Sequence, residues 1–273
     1  MFSRIKNYSR EFIIVLVYFW AYGPIWIWMW ERWFARDSYY SHGILIPFVT
    51  LYLIWQKKEV LKKTPREPAG WGIVFLVFGI LVLLLSSLLR VYFLGGFSLI
   101  IVLVGLILGF YGKGVLSKIL FPICFLAFMV PLPEVLIAEI SFDMKIFAAQ
   151  IAAYILNHHL HLPALREGSL IKMSHTYVMV DDVCSGLRSL ISLTALGSIF
   201  AYEMKGAFYK KLFVFALTVP IAIITNVFRI IILSSISETW GAQYAMGFVH
   251  VVSGFLVFAL AFVLLLVTVK LLK

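Results

Sequence analysis

Charged residues are scarce in this chain and make up only 13% of its 273 residues. A soluble globular domain is about 25% charged and about half apolar. Here 63% of the residues are hydrophobic and the mean hydropathy is +1.00. This balance excludes an ordinary water-soluble domain and predicts a chain that buries much of its surface in lipid.

Cysteine is also scarce, with Cys124 and Cys184 the only two. Cys124 lies midway along one apolar run, whereas Cys184 begins another. The two side chains are therefore expected at different depths in a membrane, where a disulfide cannot form without large backbone movement. A fold held together by disulfides is excluded.

The net charge of +10 raises the question of nucleic-acid binding. The basic residues are not gathered in one patch, however, but are distributed over the gaps between apolar runs. That distribution is typical of membrane proteins. We therefore expect membrane lipid, and no nucleic acid, as a partner.

Eight mostly apolar runs approach the length of about 20 residues that a helix needs to cross a bilayer. They predict an all-α polytopic membrane protein with about eight transmembrane helices, at residues 12–31, 38–55, 71–89, 94–111, 117–133, 185–202, 212–233 and 248–269.

The Lys and Arg residues predict how these runs are oriented. They precede the first run and then follow the second, fourth, sixth and eighth. Because short loops rich in Lys and Arg face the cytoplasm, we expect both termini to be cytoplasmic. The first run has no small-residue cleavage site after it and is interpreted as a retained signal anchor. We expect one multi-pass domain over residues 1–273, in the cytoplasmic (inner) membrane.

One segment, at about residues 134–183, is expected outside the membrane. Its first part, Val135 to Leu156, carries charged residues among apolar ones and predicts an amphipathic helix lying along the outer surface. Its second part, Gly168 to Val183, mixes β-branched, aromatic and polar residues and predicts a short β-hairpin.

Cys184 is expected at the N-terminal end of the sixth helix, with Arg188 one turn later on the same face. A helix N-terminus and a nearby cation both lower the pKa of a thiol and favour the nucleophilic thiolate. Asp181 and Asp182 act in the opposite direction, so the net shift stays open. A cysteine can also be merely a small buried apolar residue.

Arg229 and His250 are the other two reactive candidates. An arginine inside a membrane span is costly and marks function or a paired charge, although one near a helix end can also extend to the surface. Asn226 shares its helix face, and His250 begins the last span. Together Cys184, Arg229 and His250 offer a nucleophile, an oxyanion donor and a general acid or base at one outer rim, facing the periplasm or exterior.

Several motifs together resemble the signature of the exosortase/archaeosortase family. Their order and spacing along nearly the whole chain carry the resemblance: Tyr40-Ser41-His42-Gly43, Pro131-Leu132-Pro133, Cys184-Ser185-Gly186-Leu187-Arg188-Ser189, Asn226-x-x-Arg229 and His250-x-x-x-Gly254.

The resemblance implies a membrane cysteine peptidase or transpeptidase that needs no cofactor and no metal. Cys184, Arg229 and His250 would be the catalytic set. The substrates would be exported proteins with a C-terminal sorting signal: a motif such as Pro-Glu-Pro, then a transmembrane helix and a basic tail. Transfer to an amine or hydroxyl acceptor would be transpeptidation, and transfer to water would be proteolysis. Auxiliary or substrate-binding roles fall to Arg188, Ser185, Asn226, His42 and Lys172.

Three other functions are compatible with the composition. His158-His159-x-His161 allows a metal site, although the helical His-Glu-x-x-His pattern of a metalloprotease is absent. Eight spans also suit a transporter or a polysaccharide-export protein, which would normally show internal repeats and polar groups at mid-membrane. A non-catalytic membrane scaffold is the third.

Overall fold

The computed structural model describes residues 2–36, 38–181, 184–245 and 247–272. Most of these residues are helical, and the only strands among them form one small sheet. The predicted all-α membrane fold with a small β element is confirmed. The chain divides into two compact units, Met1–Leu132 and Pro133–Lys273.

The first unit contains six helices in its described part. They are α1 (Phe2–Ala21), α2 (Gly23–Trp33), α3 (Leu45–Gln56), α4 (Lys58–Lys63), α5 (Trp71–Leu89) and α6 (Tyr92–Phe125), with 3-10 turns at Ser41–Ile44 and Leu126–Met129. The bend of 62° between α1 and α2 falls where Pro24 occupies the first turn of α2, because proline has no N–H to continue the helical ladder.

Helices α5 and α6 are in close contact through glycine. A Cβ built on Gly72 would lie 2.5 Å from the backbone nitrogen of Gly109, so no larger residue fits there. The hydroxyl of Ser98 in α6 donates to the carbonyl of Gly79 in α5 at 2.7 Å. Small residues at such a contact let two membrane helices approach to backbone distance.

Helix α6 is interrupted at Gly112, whose φ of 81° lies in the left-handed region. Only glycine adopts this conformation without strain. A Cβ at this position would also overlap the carbonyl of Glu67. The loop before α5 therefore docks against α6 at a residue that lacks a side chain.

The second unit contains five helices and three strands in its described part. They are α7 (Glu134–His158), β1 (Ala164–Glu167), β2 (Leu170–Met173), β3 (Tyr177–Met179), α8 (Leu187–Glu203), α9 (Phe208–Trp240), α10 (Ala242–Ala245) and α11 (Phe248–Leu272).

Helix α9 is the central element of this unit and contacts α7, α8 and α11. Buried alanines of α7, such as Ala149 and Ala152, belong to one apolar cluster with Val227 and Ile230 of α9. A second cluster joins α8, α9 and α11. The segment predicted as an amphipathic helix is thus a helix, but one face of it packs on protein. Its course relative to the membrane surface stays a prediction.

The predicted hairpin is one part of a three-stranded antiparallel sheet in the order β1-β2-β3. The pairing begins at Ala164 rather than Gly168, and Gly168 instead forms the turn between β1 and β2, with a φ of +64°. The predicted range Gly168 to Val183 contains the hairpin of β2 and β3, whereas β1, which precedes that range, was not predicted. The positive φ of Gly168 suits a tight hairpin turn.

The sheet is tied to the end of α9 by polar contacts. The buried carboxylate of Glu238 accepts the backbone N–H of His175, with both its oxygens 3.2 Å from that nitrogen, and lies 2.9 Å from Nδ1 of the same residue. The hydroxyls of Thr176 and Ser237 lie 3.0 Å apart. The loop between β2 and β3 is therefore held in place beside α9.

Four helices in the described part are long and apolar enough to cross a membrane, or five if the bent pair of α1 and α2 is one span. A multi-pass protein is thus supported, but the count of eight spans and the cytoplasmic placement of both termini are not confirmed. The predicted span 94–111 and residues 117–129 of the predicted span 117–133 lie in the single run Tyr92–Met129. Another, 185–202, is the 17-residue helix α8, shorter than the usual length of about 20.

Candidate active site

The thiol of Cys184 and the imidazole of His250 are in direct contact. Cys184 belongs to a short turn before α8, in which its N–H donates to the carbonyl of Asp181 at 2.8 Å. His250 lies in the first turn of α11. The Sγ of Cys184 is 2.9 Å from Nε2 of His250. A thiol at this distance can pass its proton to the imidazole.

The guanidinium of Arg229 lies beside this pair. Arg229 is on α9 and is only 8% exposed. Its Nη2 donates to the backbone carbonyl of His250 at 2.9 Å and lies 3.4 Å from Nε2 of the same residue. This arginine therefore does not extend to the surface: its charge is buried and directed at the imidazole. A buried guanidinium with N–H groups this close to the imidazole can stabilise a developing oxyanion.

Ser253 joins the arginine to the histidine. Its hydroxyl accepts a hydrogen bond from Nε of Arg229 at 3.1 Å and donates to the carbonyl of His250 at 2.8 Å. No role for Ser253 was predicted from the sequence. A signal was present, because Ser253 is a polar residue three positions after His250 on an otherwise apolar helix, and therefore lies on the same helix face.

Asn226 and Gly186 shape the turn that carries the thiol. The side-chain amide of Asn226 donates to the carbonyl of Cys184 at 2.8 Å. Gly186 has a φ of +83°, and a Cβ there would lie within 3.0 Å of three side-chain atoms of Asn226. Glycine is thus required at position 186 for two reasons: the left-handed backbone and the close approach of Asn226.

The predicted relation between Cys184 and Arg188 is wrong in its geometry. Helix α8 begins only at Leu187, and the left-handed Gly186 separates Cys184 from it. The two residues are therefore not one helical turn apart. Arg188 lies half-buried in the first turn of α8. Ser185 is 1% exposed, and its hydroxyl accepts the N–H of Leu187 at 3.3 Å.

Burial raises the pKa of the Cys184 thiol above its ordinary value, the positive charge of Arg229 lowers it, and the negative charge of Asp181 raises it. Because the net shift is upward, the thiol is protonated near neutral pH. The cation that lowers the pKa of the Cys184 thiol is therefore Arg229 of α9. Asp182, which the sequence analysis also considered, lies outside the described residues.

Two predicted auxiliary residues lie on elements other than the turn and helices that carry this cluster. Lys172 is on β2, where its Nζ forms an ion pair with Glu167 of β1 at 2.7 Å. His42 lies in the first unit, in the 3-10 turn before α3, and its ring stacks on that of Tyr40. Roles for Lys172 and His42 stay predictions.

The histidines considered for a metal site lie at the end of α7 and just after it. His158 stacks on Tyr154 with ring centroids 4.3 Å apart, and His159 contacts the same ring edge-on. In the part of the chain that the structure describes, no group of three or more His, Cys, Asp or Glu side chains is placed to hold a metal ion.

An apolar groove of about 320 Å³ runs between α9 and α11. Its walls include Phe228, Ile232 and Leu256, and Arg229 and Ser253 also line it. The groove thus includes two residues of the polar cluster and lies along two helices that are long enough to span a membrane.

The protein therefore has several helices long and apolar enough to cross a membrane, and it brings together a thiol, an imidazole and a guanidinium. The family model for the transmembrane exosortase (Exosortase_EpsH) matches residues 30–267, and the chain belongs to that family. The match includes Cys184, helix α9 and most of helix α11. The chain matches no curated protein and no solved structure.

Proposed function

We propose that this exosortase-family protein cleaves C-terminal sorting signals of exported proteins through Cys184 and transfers the new C-terminus to an amine or hydroxyl acceptor. The observation that carries the proposal is the contact of the Cys184 sulfur, 2.9 Å from the His250 imidazole, with the Arg229 guanidinium beside it. Family membership supports the same chemistry.

The reaction begins from the neutral pair. Because burial keeps the Cys184 thiol protonated, the sulfur becomes a nucleophile only when Nε2 of His250 removes its proton. The resulting thiolate attacks the scissile carbonyl carbon of the substrate. The carbonyl π electrons move to oxygen, and the N–H groups of Arg229 stabilise that oxyanion.

The leaving group then departs as an amine. The imidazolium of His250 gives its proton to the scissile nitrogen, the C–N bond breaks, and a thioester on Cys184 remains. His250, neutral again, takes a proton from the acceptor amine or hydroxyl as that group attacks the thioester. The sulfur leaves as a thiolate and recovers the proton from His250. Water in place of the acceptor makes the same cycle a proteolysis.

The groove between α9 and α11 offers the substrate's own transmembrane helix a place to dock. Its lining is apolar except for Arg229 and Ser253. A substrate helix lying there would place the motif that precedes it beside Cys184. We propose that this takes place in the cytoplasmic membrane, with the site facing the periplasm or exterior and Arg188, Ser185 and Asn226 assisting.

The two cysteines supply a matched test. Cys184→Ala should abolish processing of a reporter that carries a Pro-Glu-Pro motif, a transmembrane helix and a basic tail, while the variant still inserts in membranes. Cys124→Ala should process normally, because Cys124 is a free thiol to which the proposed mechanism gives no role. The readout is the mass of the reporter recovered from membranes that contain each variant.

Full processing by the Cys184→Ala variant would overturn the thioester mechanism. A thioester would be identified directly if the mass of the wild-type protein increased by that of the reporter fragment. Hydroxylamine should then remove the added mass, because it cleaves thioesters.

A further inference from the structure

A second groove, of about 360 Å³, lies in the first unit between α4 and α6. Three cationic side chains line it: Lys58 and Lys62 of α4, and Arg66 just beyond that helix. No acidic residue is among the described residues that line it. Lys62 forms an ion pair with Glu59 at 2.8 Å, but both side chains are mostly exposed, so water screens that pair. The groove therefore keeps a positive field.

The floor of this groove is apolar. Ile107, Val115 and Ile119 of α6 are buried and line the groove together with Leu61 of α4. The ring of Tyr111 also lines it. Cations at the mouth and aliphatic side chains on the floor match a ligand with an anionic head and a hydrocarbon chain.

Aromatic residues next to the groove indicate that it lies at the membrane interface. Trp55 and Tyr52 at the end of α3 are stacked, and each is more than half exposed. Exposed Trp and Tyr at helix ends mark the headgroup level of a bilayer. The Nζ of Lys58 lies 4.5 Å from the ring centroid of Trp55, and the guanidinium of Arg66 lies over Tyr111. The cations are thus held at headgroup depth.

We propose that this groove binds an anionic phospholipid. Lys58, Lys62 and Arg66 contact the phosphate oxygens, and the first methylenes of an acyl chain lie on the aliphatic floor. Basic pockets between membrane helices recognise lipid headgroups in this way, and 360 Å³ lies within the usual range of ligand sites. Lipid binding by this groove of the first unit does not depend on the proposed peptidase activity.

The test compares lipids on the full-length protein in detergent by native mass spectrometry. Phosphatidylglycerol should bind at least tenfold more tightly than phosphatidylcholine with the same chains. Each Lys or Arg near a phosphate is worth about fivefold in affinity, so K58Q/K62Q/R66Q should weaken phosphatidylglycerol about a hundredfold. The matched control K63Q/K113Q/K118Q removes the same charge from residues outside the groove lining and should retain selective binding.

Equal loss in both triple variants would show a general charge effect and overturn the site. Displacement of the lipid by millimolar inorganic phosphate or glycerol phosphate would indicate a free-anion site instead and would also refute the proposal. A wild-type experiment avoids any folding defect of the variants. Photoactivatable phosphatidylglycerol should crosslink to the peptide around Tyr111 and Val115, and crosslinks confined to other helices would contradict the assignment.

Discussion

Substitution of Ser253 by alanine should slow processing of the reporter substrate about thirtyfold. The serine hydroxyl makes two hydrogen bonds, one from Nε of Arg229 at 3.1 Å and one to the carbonyl of His250 at 2.8 Å. A hydrogen bond to a charged group is worth about 1.5–3 kcal/mol. Arg229 keeps its Nη2 bond to the same carbonyl, so we take about 2 kcal/mol as the lost positioning energy, which is about thirtyfold in rate.

The assay is the initial rate of reporter cleavage in membranes, normalised to the amount of inserted protein, over a range of reporter levels. We expect kcat to fall and KM to change little, because Ser253 positions the reacting groups. S253T should recover most of the rate, since threonine keeps a hydroxyl that can bond the carbonyl three residues before it.

Ser234 supplies a matched control on the neighbouring helix. It is fully buried on α9, and its hydroxyl has no hydrogen-bond partner among the described residues. Ser234→Ala should therefore leave the rate within about twofold of wild type, because no hydrogen bond is lost. A Ser253→Ala rate within threefold of wild type, or equal rates for S253A and S253T, would refute the positioning role.

Three further outcomes are expected. Gly186→Ala should lower both activity and thermal stability, because the left-handed backbone costs about 1–2 kcal/mol for alanine and the new Cβ would clash with Asn226. Gly168→Ala is the control: its φ is also positive, but a Cβ there meets open space, so only the backbone cost should appear. An equal loss of stability in both variants would argue against the clash. Asn226→Ala should slow processing about tenfold, because the variant loses the hydrogen bond to the Cys184 carbonyl. A wild-type rate in this variant would show that Asn226 does not position the turn of Cys184. Because the pKa of the Cys184 thiol is raised, its rate of alkylation by iodoacetamide should still increase with pH above the ordinary cysteine pKa of about 8.5. The rate is measured by peptide mass spectrometry. Arg229→Gln should shift the profile to still higher pH, and a plateau near neutrality would refute the direction of the shift.

The local pattern of hydropathy was sufficient to predict the class of protein, a helical membrane protein. Apolar runs such as 71–89 match helix α5 to the residue, because a helix in lipid must satisfy its backbone internally and shows its length in sequence. The gap between the predicted spans 94–111 and 117–133 includes Gly112, where the helical run Tyr92–Phe125 is interrupted. Hydropathy does not show that a Cβ at this glycine would overlap the carbonyl of Glu67.

The sequence alone also singled out a thiol, a guanidinium and an imidazole and expected them at one rim, since residue type and membrane depth can both be read along the chain. Only the tertiary structure decided how they meet. The packing of α9 against α11 directs Arg229 at His250 and recruits Ser253, and the left-handed turn at Gly186 detaches Cys184 from the helix that carries Arg188. These contacts join residues that are far apart in the chain, and their energies depend on burial and distance, which no local pattern encodes.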